Sequence, residues 1–393
     1  MLFSVALMLI TGMFMGWICK KIHLPSLLGM ILTGILLGPY VWNVMDESIL
    51  GISSELRRMA LIIILTRAGL SLDVHDLKKV GRPAVLMCFV PACFEILGMV
   101  ILAPKLLGMK VLDAAIMGAV VGAVSPAVIV PKMLKLMEEG YGRKKGIPQL
   151  LLAGASVDDV FVIVMFSAFT GLAQGGSISP ASFLKIPVSI AMGMAVGGIS
   201  GYILSQYFRK VHIRDTTKVI ILLSLSFIMV TAEDYLGMKI PFASLIAVMG
   251  VGIGLQQDRA PVAERLSRKF NKLWVPAEIL LFVLVGATVD LKYVKAAGTA
   301  AVILIVCVLL FRMAGVFFCL LKTKLTRKER LFCMIAYTPK ATVQAAIGGV
   351  PLAMGLDCGN IVLTVAVLAI LITAPLGAFL IDFSYKKLLS KEG

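Results

Sequence analysis

The chain has 393 residues, of which 59% are hydrophobic and only 15% are charged. Soluble domains carry about 25% charged residues, so this composition excludes a water-soluble cytosolic enzyme and is typical of an all-α polytopic membrane protein. The net charge of +16 does not indicate nucleic-acid binding, because the Lys and Arg residues lie between apolar segments and no basic stretch is interleaved with aromatic residues.

In chain order, the sequence predicts thirteen apolar membrane-spanning segments. They are residues 2–19, 23–42, 59–72, 84–103, 112–135, 148–173, 182–208, 217–236, 240–256, 273–290, 298–320, 329–353 and 360–384. The first segment lacks a basic n-region and a small-residue cleavage site, so we interpret it as a retained helix and not as a signal peptide. The third segment is the weakest, because it is short and contains Arg67.

The charges of the loops predict how these segments are oriented. One set of alternate loops carries 27 Lys and Arg residues, and the other set carries eight. The positive-inside rule places the richer set in the cytoplasm. With thirteen segments, the C-terminus is then cytoplasmic and the N-terminus is outside, in a multi-pass protein of the plasma or inner membrane.

The cysteines indicate neither a disulfide framework nor a metal site. The seven Cys residues are scattered in or beside apolar segments, without a CxxC pair and without a His cluster. We therefore expect no structural or transition metal and no cofactor.

Ionisable side chains inside the segments are costly to bury in lipid and indicate function by default. They are Arg67, Glu95, Asp158, Asp159, Glu278, Arg312 and Lys340. We interpret Arg67 and Glu278 as structural, since one lies in the weakest segment and the other near the start of its segment. Asp158 and Asp159 lie well inside segment six and are interpreted as functional. Neighbours on a helix point about 100° apart, so one carboxylate is expected to face a cationic partner and the other a water-filled cavity.

Two segments contain a hydroxyl-proline pair at mid-span. Segment five has Ser125-Pro126, and segment twelve has Thr338-Pro339. Proline removes a backbone donor and breaks a helix, and in a membrane such a break is tolerated only where protein or a cavity shields it. Proline-interrupted segments at matching positions in two halves indicate a transporter binding site.

The matching positions predict an inverted repeat. Segments five and twelve differ by seven in order, so equivalent helices run in opposite directions. An ion-translocation core, in which the two broken helices cross, would be formed by residues from about 84–173 and 298–384. A scaffold and dimer surface would be formed by residues from about 1–72 and 182–290. Glu95, Arg312 and Lys340 would compensate the partial charges of the broken helix ends; alternatively, Lys340 only caps one of them.

Three motifs concentrate these features: Ala155-Ser-Val-Asp-Asp159, Gly122-Ala-Val-Ser-Pro-Ala-Val128 and Thr338-Pro-Lys-Ala-Thr-Val-Gln-Ala-Ala-Ile-Gly348. They resemble the monovalent cation/proton antiporter superfamily, most closely its sodium/proton antiporter branch that includes the animal NHA proteins. The resemblance runs over nearly the whole chain and implies the sodium/proton antiporter fold. Electroneutral members have Asn at the position of Asp158, so the resemblance implies electrogenic exchange. Arg312 departs from many bacterial relatives, which have Lys. Because Arg stays protonated, it is not expected to carry the proton.

The main hypothesis concerns Asp159, which would bind both the cation and the proton. If the core moves between the membrane faces only when this carboxylate is neutralised, by a proton or by a cation, exchange follows. Ser125, Thr338 and Thr342, or carbonyls at the two breaks, can supply the oxygen ligands that a hard cation requires.

The partner of the second carboxylate is left open by the sequence. Asp158 would pair with Arg312 or, less directly, with Lys340, and Glu95 competes for Arg312.

The sequence therefore predicts a secondary active antiporter, not an enzyme, that exchanges a monovalent cation for protons, with Na⁺ and Li⁺ ahead of K⁺. The expected partners are the lipid bilayer, the transported ions and a second copy in a homodimer, with no nucleic acid. A sodium-coupled symporter of an organic anion is the alternative, and it would show sodium-driven solute uptake without sodium-driven proton movement. An intramembrane aspartyl protease needs two aspartates on different helices, whereas Asp158 and Asp159 are adjacent.

Overall fold

The computed structural model describes residues 1–22, 24–72, 81–174, 180–236 and 243–391, and every named element in these ranges is a helix. In chain order the helices are α1 (Leu2–Lys21), α2 (Ser26–Leu37), α3 (Glu47–Gly51), α4 (Ser53–Ser71), α5 (Arg82–Met87), α6 (Val90–Leu107), α7 (Val111–Val121), α8 (Pro126–Glu138), α9 (Ile147–Ala173), α10 (Pro180–Lys210), α11 (Asp215–Leu236), α12 (Ser244–Asp258), α13 (Ala260–Ala287), α14 (Leu291–Cys319), α15 (Arg327–Ala336), α16 (Thr342–Ile347), α17 (Val350–Ala353) and α18 (Gly359–Leu388). The first residue of the predicted segment 23–42 and the first three of the segment 240–256 lie outside the described residues.

Within the described ranges, 8 helical stretches are long and apolar enough to cross a membrane. They are Leu2–Lys21, Arg82–Leu107, Val111–Glu138, Ile147–Ala173, Asp215–Glu233, Ala260–Ala287, Gly298–Cys319 and Gly359–Leu388. The all-α, multi-pass architecture predicted from the composition is confirmed. The count of thirteen spans stays a prediction.

Helix α4 begins before the predicted segment 59–72 and therefore includes residues that the sequence placed in a loop. Arg57 is one of them, and its side chain is buried, with Nε donating to the Ser53 carbonyl oxygen at 3.3 Å. A Cβ added at Gly349 would lie 2.4 Å from Arg57 Nη1, so the guanidinium packs on the backbone there. The loop prediction for Arg57 was wrong, because hydropathy marks only the apolar part of a helix that begins earlier.

The chain divides into two compact units. The larger comprises Met1–Arg57, Val80–Ala173 and Ile279–Gly393, and the smaller comprises Arg58–Lys79 and Gln174–Glu278. Residues 1–57 thus group with the predicted core ranges and not with the predicted scaffold.

Close backbone packing explains why α2 belongs to the larger unit. A Cβ added at Gly34 would lie 2.0 Å from the Val283 carbonyl oxygen, and one added at Gly38 2.9 Å from Ala287 Cα. Such an approach is possible only without side chains at these glycines. The assignment of translocation and scaffold roles to particular ranges stays a prediction.

In the larger unit, α6 packs on α7 and α14, α9 packs on α7 and α8, and α18 packs on α14 and α15. These contacts surround the two helix pairs α7–α8 and α15–α16. Pro126 begins α8, and Pro339 lies between α15 and α16. The core of the larger unit therefore lies around the predicted break points.

In the smaller unit, Arg67 and Glu278 are close enough to interact electrostatically. Opposite charges that compensate each other within one unit support the structural interpretation of this pair.

The smaller unit also contains a repeat of glycines four residues apart on α10, Gly193, Gly197 and Gly201. Cβ atoms added at Gly193, Gly197 and Gly201 would lie 2.4, 2.2 and 2.2 Å from backbone oxygens of residues 243, 247 and 251. The repeat therefore allows α10 and α12 to pack backbone to backbone within the chain.

We expect Gly197→Ala to destabilise the protein by about 1–3 kcal/mol, since its methyl group would overlap the Ala247 carbonyl oxygen. Gly198→Ala is the matched control, because an added Cβ there meets no atom within 4 Å and alanine favours a helix over glycine. Thermal unfolding of the detergent-solubilised protein would measure both. Equal melting temperatures for the two variants would contradict the close packing.

Candidate functional site

Two broken helices meet at the centre of the larger unit. Helix α7 ends at Val121 and α8 begins at Pro126, while α15 ends at Ala336 and α16 begins at Thr342. The backbone N–H of Ser125 donates to the Pro339 carbonyl oxygen at 2.8 Å, so one break touches the other. Both predicted breaks and their crossing are confirmed. The non-helical residues of the two breaks are 122–125 and 337–341.

Arg312 on α14 occupies the centre of this crossing, fully buried. Its Nη2 donates to Asp158 Oδ2 at 2.7 Å, and its Nη1 donates to Glu95 Oε2 at 2.8 Å and also to the Gly122 carbonyl oxygen. Its Nε donates to the Tyr337 carbonyl oxygen at 2.7 Å. The planar guanidinium thus binds two carboxylates and one carbonyl from each break, which the single ammonium of a lysine could not reproduce.

Lys340 lies in the second break and does more than cap a helix end. Its Nζ donates to Glu95 Oε2, so Glu95 binds both cations of the site. Its backbone N–H donates to Thr373 Oγ1 on α18 at 2.9 Å. The choice that the sequence left open is therefore resolved by a shared network: Arg312 contacts both Asp158 and Glu95, and Lys340 contacts Glu95.

This network is buried, since Glu95, Asp158, Arg312 and Lys340 are each at most 1% exposed. The two carboxylates balance the two cations. Buried charges are tolerated when they are paired and hydrogen-bonded in this way. The four side chains come from four separate parts of the chain, on α6, α9, α14 and the break before α16.

Asp159 stands apart from this balanced network. It is 8% exposed, and its Oδ1 is buried without a hydrogen-bond partner in the part of the chain that the structure describes. In its neighbour Asp158, Oδ1 also has no partner among the described residues, but Oδ2 accepts from Arg312 and from the Val124 N–H at 2.8 Å. The two adjacent carboxylates thus face different surroundings, as expected for neighbours on a helix.

Two hydroxyls beside the breaks also lack partners. Ser125 Oγ at the end of the first break and Thr342 Oγ1 at the start of α16 are buried without a hydrogen bond to any described residue. Thr338 differs, because its hydroxyl donates to the Ile335 carbonyl oxygen at 2.8 Å. A hydroxyl that donates keeps its lone pairs, so all three oxygens remain able to coordinate a cation.

Sequence reasoning gave no role to three residues that the structure places at the crossing. Tyr337 donates its hydroxyl to the Met87 carbonyl oxygen at 3.0 Å, Thr373 accepts from Lys340, and Gln344 donates to two carbonyls of the first break. The only signal for Gln344 was its position in the motif that starts at Thr338. Thr373 gave no signal, because a threonine in an apolar helix is commonplace.

A chain of apolar helices with two crossed breaks and a buried charge network defines the class of membrane carriers built on inverted repeats. The family described as "Sodium/hydrogen exchanger, transmembrane" matches residues 5–384. The chain belongs to this family.

Curated relatives cover most of the chain. Sodium/hydrogen exchanger 9B2 of Homo sapiens is 35% identical over 387 residues, which are 94% of this chain and 70% of that protein. Sodium/hydrogen exchanger 9B1 of Homo sapiens is 30% identical over 399 residues, 94% of this chain and 73% of that protein.

Among solved structures, the sodium proton antiporter MjNhaP1 from Methanocaldococcus jannaschii at pH 8 superposes with a TM-score of 0.85. It is 19% identical and covers 98% of this chain and 97% of its own. The likeness confirms the predicted fold.

Proposed function

We propose that this protein is a secondary active antiporter that exchanges Na⁺ or Li⁺ for protons by alternating access. The observation that carries the proposal is Asp159 beside the crossing of two broken helices, whose buried Oδ1 has no hydrogen-bond partner among the residues that the structure describes. Membership of the sodium/hydrogen exchanger family supports it, as does the name of the 9B2 relatives.

In this proposal the cation and the proton compete for Asp159. Ser125 and Thr342 contribute unpartnered hydroxyl oxygens, and Thr338 contributes its lone pairs. A hard cation takes oxygen ligands, and the carboxylate supplies the charge. With the neighbouring four charges balanced, ionised Asp159 adds one uncompensated negative charge. One cation or one proton neutralises it, which is the condition for the core to move.

Electrogenic exchange requires that more than one proton moves for each cation. A second titrating group is therefore needed besides Asp159. Arg312 stays protonated, so Asp158 and Lys340 are the candidates. Both lie within the network whose hydrogen bonds would rearrange when Asp159 changes its occupant.

The proposal extends to the whole molecule. The N-terminus lies outside and the C-terminus in the cytoplasm, in agreement with the charge bias of the loops. Two copies form a homodimer in the bilayer, and the protein works without a cofactor.

Proteoliposomes with an imposed proton gradient and a pH-sensitive dye test this function. We expect Na⁺ and Li⁺ to dissipate the gradient, and an imposed membrane potential to change the rate if exchange is electrogenic. Protein-free vesicles and K⁺ addition are the controls. A response to K⁺ alone would make the protein a K⁺/H⁺ antiporter. No response to any cation from folded, inserted protein would overturn the proposal and favour sodium-coupled uptake of an organic anion.

A further inference from the structure

Gln344 ties one broken helix to the other. It lies in the first turn of α16 and is 1% exposed. Its Nε2 donates to the Val121 carbonyl oxygen at 3.0 Å and to the Ala123 carbonyl oxygen at 2.9 Å. Two carbonyl acceptors fix the orientation of the amide, because only its NH₂ group can donate to both. Both amide hydrogens of Gln344 thus bind backbone carbonyls at the end of α7.

The end of α7 needs such donors. The last carbonyls of a helix have no partner within the helix, and inside a membrane each unsatisfied group is costly. Gln344 binds the carbonyls of residues 121 and 123, and Arg312 binds that of Gly122 between them. The next N–H, of Val124, donates to Asp158 Oδ2. The side chains of Gln344, Arg312 and Asp158 therefore bind backbone groups of the four consecutive residues 121–124. Of these three side chains, that of Gln344 alone is uncharged and comes from the other broken helix.

A second tie joins the same two segments. The Ser125 N–H donates to the Pro339 carbonyl oxygen. The two ties enclose residues 121–125 on one side and 339–344 on the other. The hydroxyls of Ser125 and Thr342, which have no partner among the described residues, lie within this frame. Ser125 is two residues after Ala123, whose carbonyl oxygen Gln344 binds, and Thr342 is two residues before Gln344. With both ties present, neither segment can rotate about the other without breaking a hydrogen bond.

We propose that Gln344 is a positioning residue that sets cation affinity and selectivity by holding the Ser125 and Thr342 hydroxyls at a fixed separation beside Asp159. This inference rests on the proposed exchange function and deepens it. Gln344 Oε1 is buried without a hydrogen-bond partner among the described residues, and the role proposed here rests on the two amide donors alone. Gln344 acts through the backbone of the first break, where its amide replaces the donors that an unbroken helix would have supplied.

The test compares Gln344→Met, which keeps the length of the side chain but removes both donors, with the unaltered protein. Loss of two buried hydrogen bonds to the break is expected to raise KM for Na⁺ by roughly tenfold or more and to reduce discrimination between Na⁺ and K⁺. The maximal rate should change much less, because Asp159 is intact. Gln206→Met is the matched control: its amide donates to Asp258 in the smaller unit at 3.3 Å, and KM should not change.

Gln344→Glu supplies a readout that loss of packing would not give. An ionised carboxylate only accepts hydrogen bonds and would face two carbonyls, whereas a protonated one returns a single donor. KM of this variant, divided by that of the unaltered protein, should fall as the pH is lowered. The same ratio for Gln344→Met should stay constant. The dependence of the melting temperature on Na⁺ concentration, in detergent, would report affinity without transport.

Each outcome decides the question. If the unaltered protein shows no cation-dependent proton movement, the proposed function fails and this inference fails with it. If the unaltered protein exchanges ions and Gln344→Met keeps its KM and selectivity, only this inference is wrong. A pH-independent ratio for Gln344→Glu, or failure of both variants to fold, would make Gln344 purely structural and also overturn it.

Discussion

Asp159→Asn is expected to abolish cation-dependent proton movement, down to the level of protein-free vesicles, while the protein stays folded. An amide carries no charge and takes up no proton at physiological pH, so neither occupant of the site can be exchanged. Stability should be unchanged or higher, because Asp159 Oδ1 is a buried oxygen without a hydrogen bond within the described ranges and burying an unpaired charge is costly. Loss of transport with retained stability is the signature of a functional group.

The assay is the proteoliposome measurement with Na⁺, Li⁺ and K⁺, together with thermal unfolding. Asp382→Asn is the matched control, since Asp382 on α18 is partly exposed and pairs with Lys132. Exposed ion pairs contribute only about 0–1 kcal/mol, so this variant should transport at a rate near that of the unaltered protein. A fully active Asp159→Asn would eliminate the scheme in which this carboxylate binds the ions.

Arg312→Gln is expected to cause the largest loss of stability, about 3–5 kcal/mol, because it leaves buried carboxylates without their shared cation. Asp158 would lose its cationic hydrogen-bond donor, and the carbonyls of Gly122 and Tyr337 would also lose theirs. Lys340 would remain alone with two carboxylates. Thermal unfolding in detergent measures the loss.

A charge-balanced double variant tests whether the loss comes from the uncompensated charge. Arg312→Gln combined with Glu95→Gln leaves one carboxylate and one lysine, so part of the stability should return. The two substitutions are then non-additive, as expected for members of one network. A double variant that is less stable than either single variant would show that the individual hydrogen bonds matter more than the charge balance.

Much of this site could be predicted from the sequence, because its rules are local. Two prolines preceded by hydroxyl residues at mid-span predict broken helices, and the structure has non-helical residues directly before Pro126 and around Pro339. Adjacent aspartates on a helix must point in different directions. Asp158 and Asp159 do have different environments.

Partner choice could not be predicted in this way. Glu95 and Arg312 are separated by 217 residues, and Lys340 and Glu95 by 245. Which acid binds which cation depends on distances that arise only when three helices and the second break pack together. The role of Gln344 was hidden for the same reason, because an amide in an apolar motif does not reveal which backbone carbonyls lie within its reach.

The sequence by itself determined the membrane class, the two helix breaks and the charges Glu95, Asp158, Asp159, Arg312 and Lys340 at the crossing. Each follows from hydropathy, proline stereochemistry or the cost of charge in lipid. Only the tertiary structure decided that Arg312 serves both carboxylates and that Arg57 is buried in a helix. It also decided that α1 and α2 lie in the larger compact unit. Composition and periodicity determine which side chains each helix must bury. Which buried side chains form ion pairs and hydrogen bonds with one another is determined by packing between segments far apart in the chain.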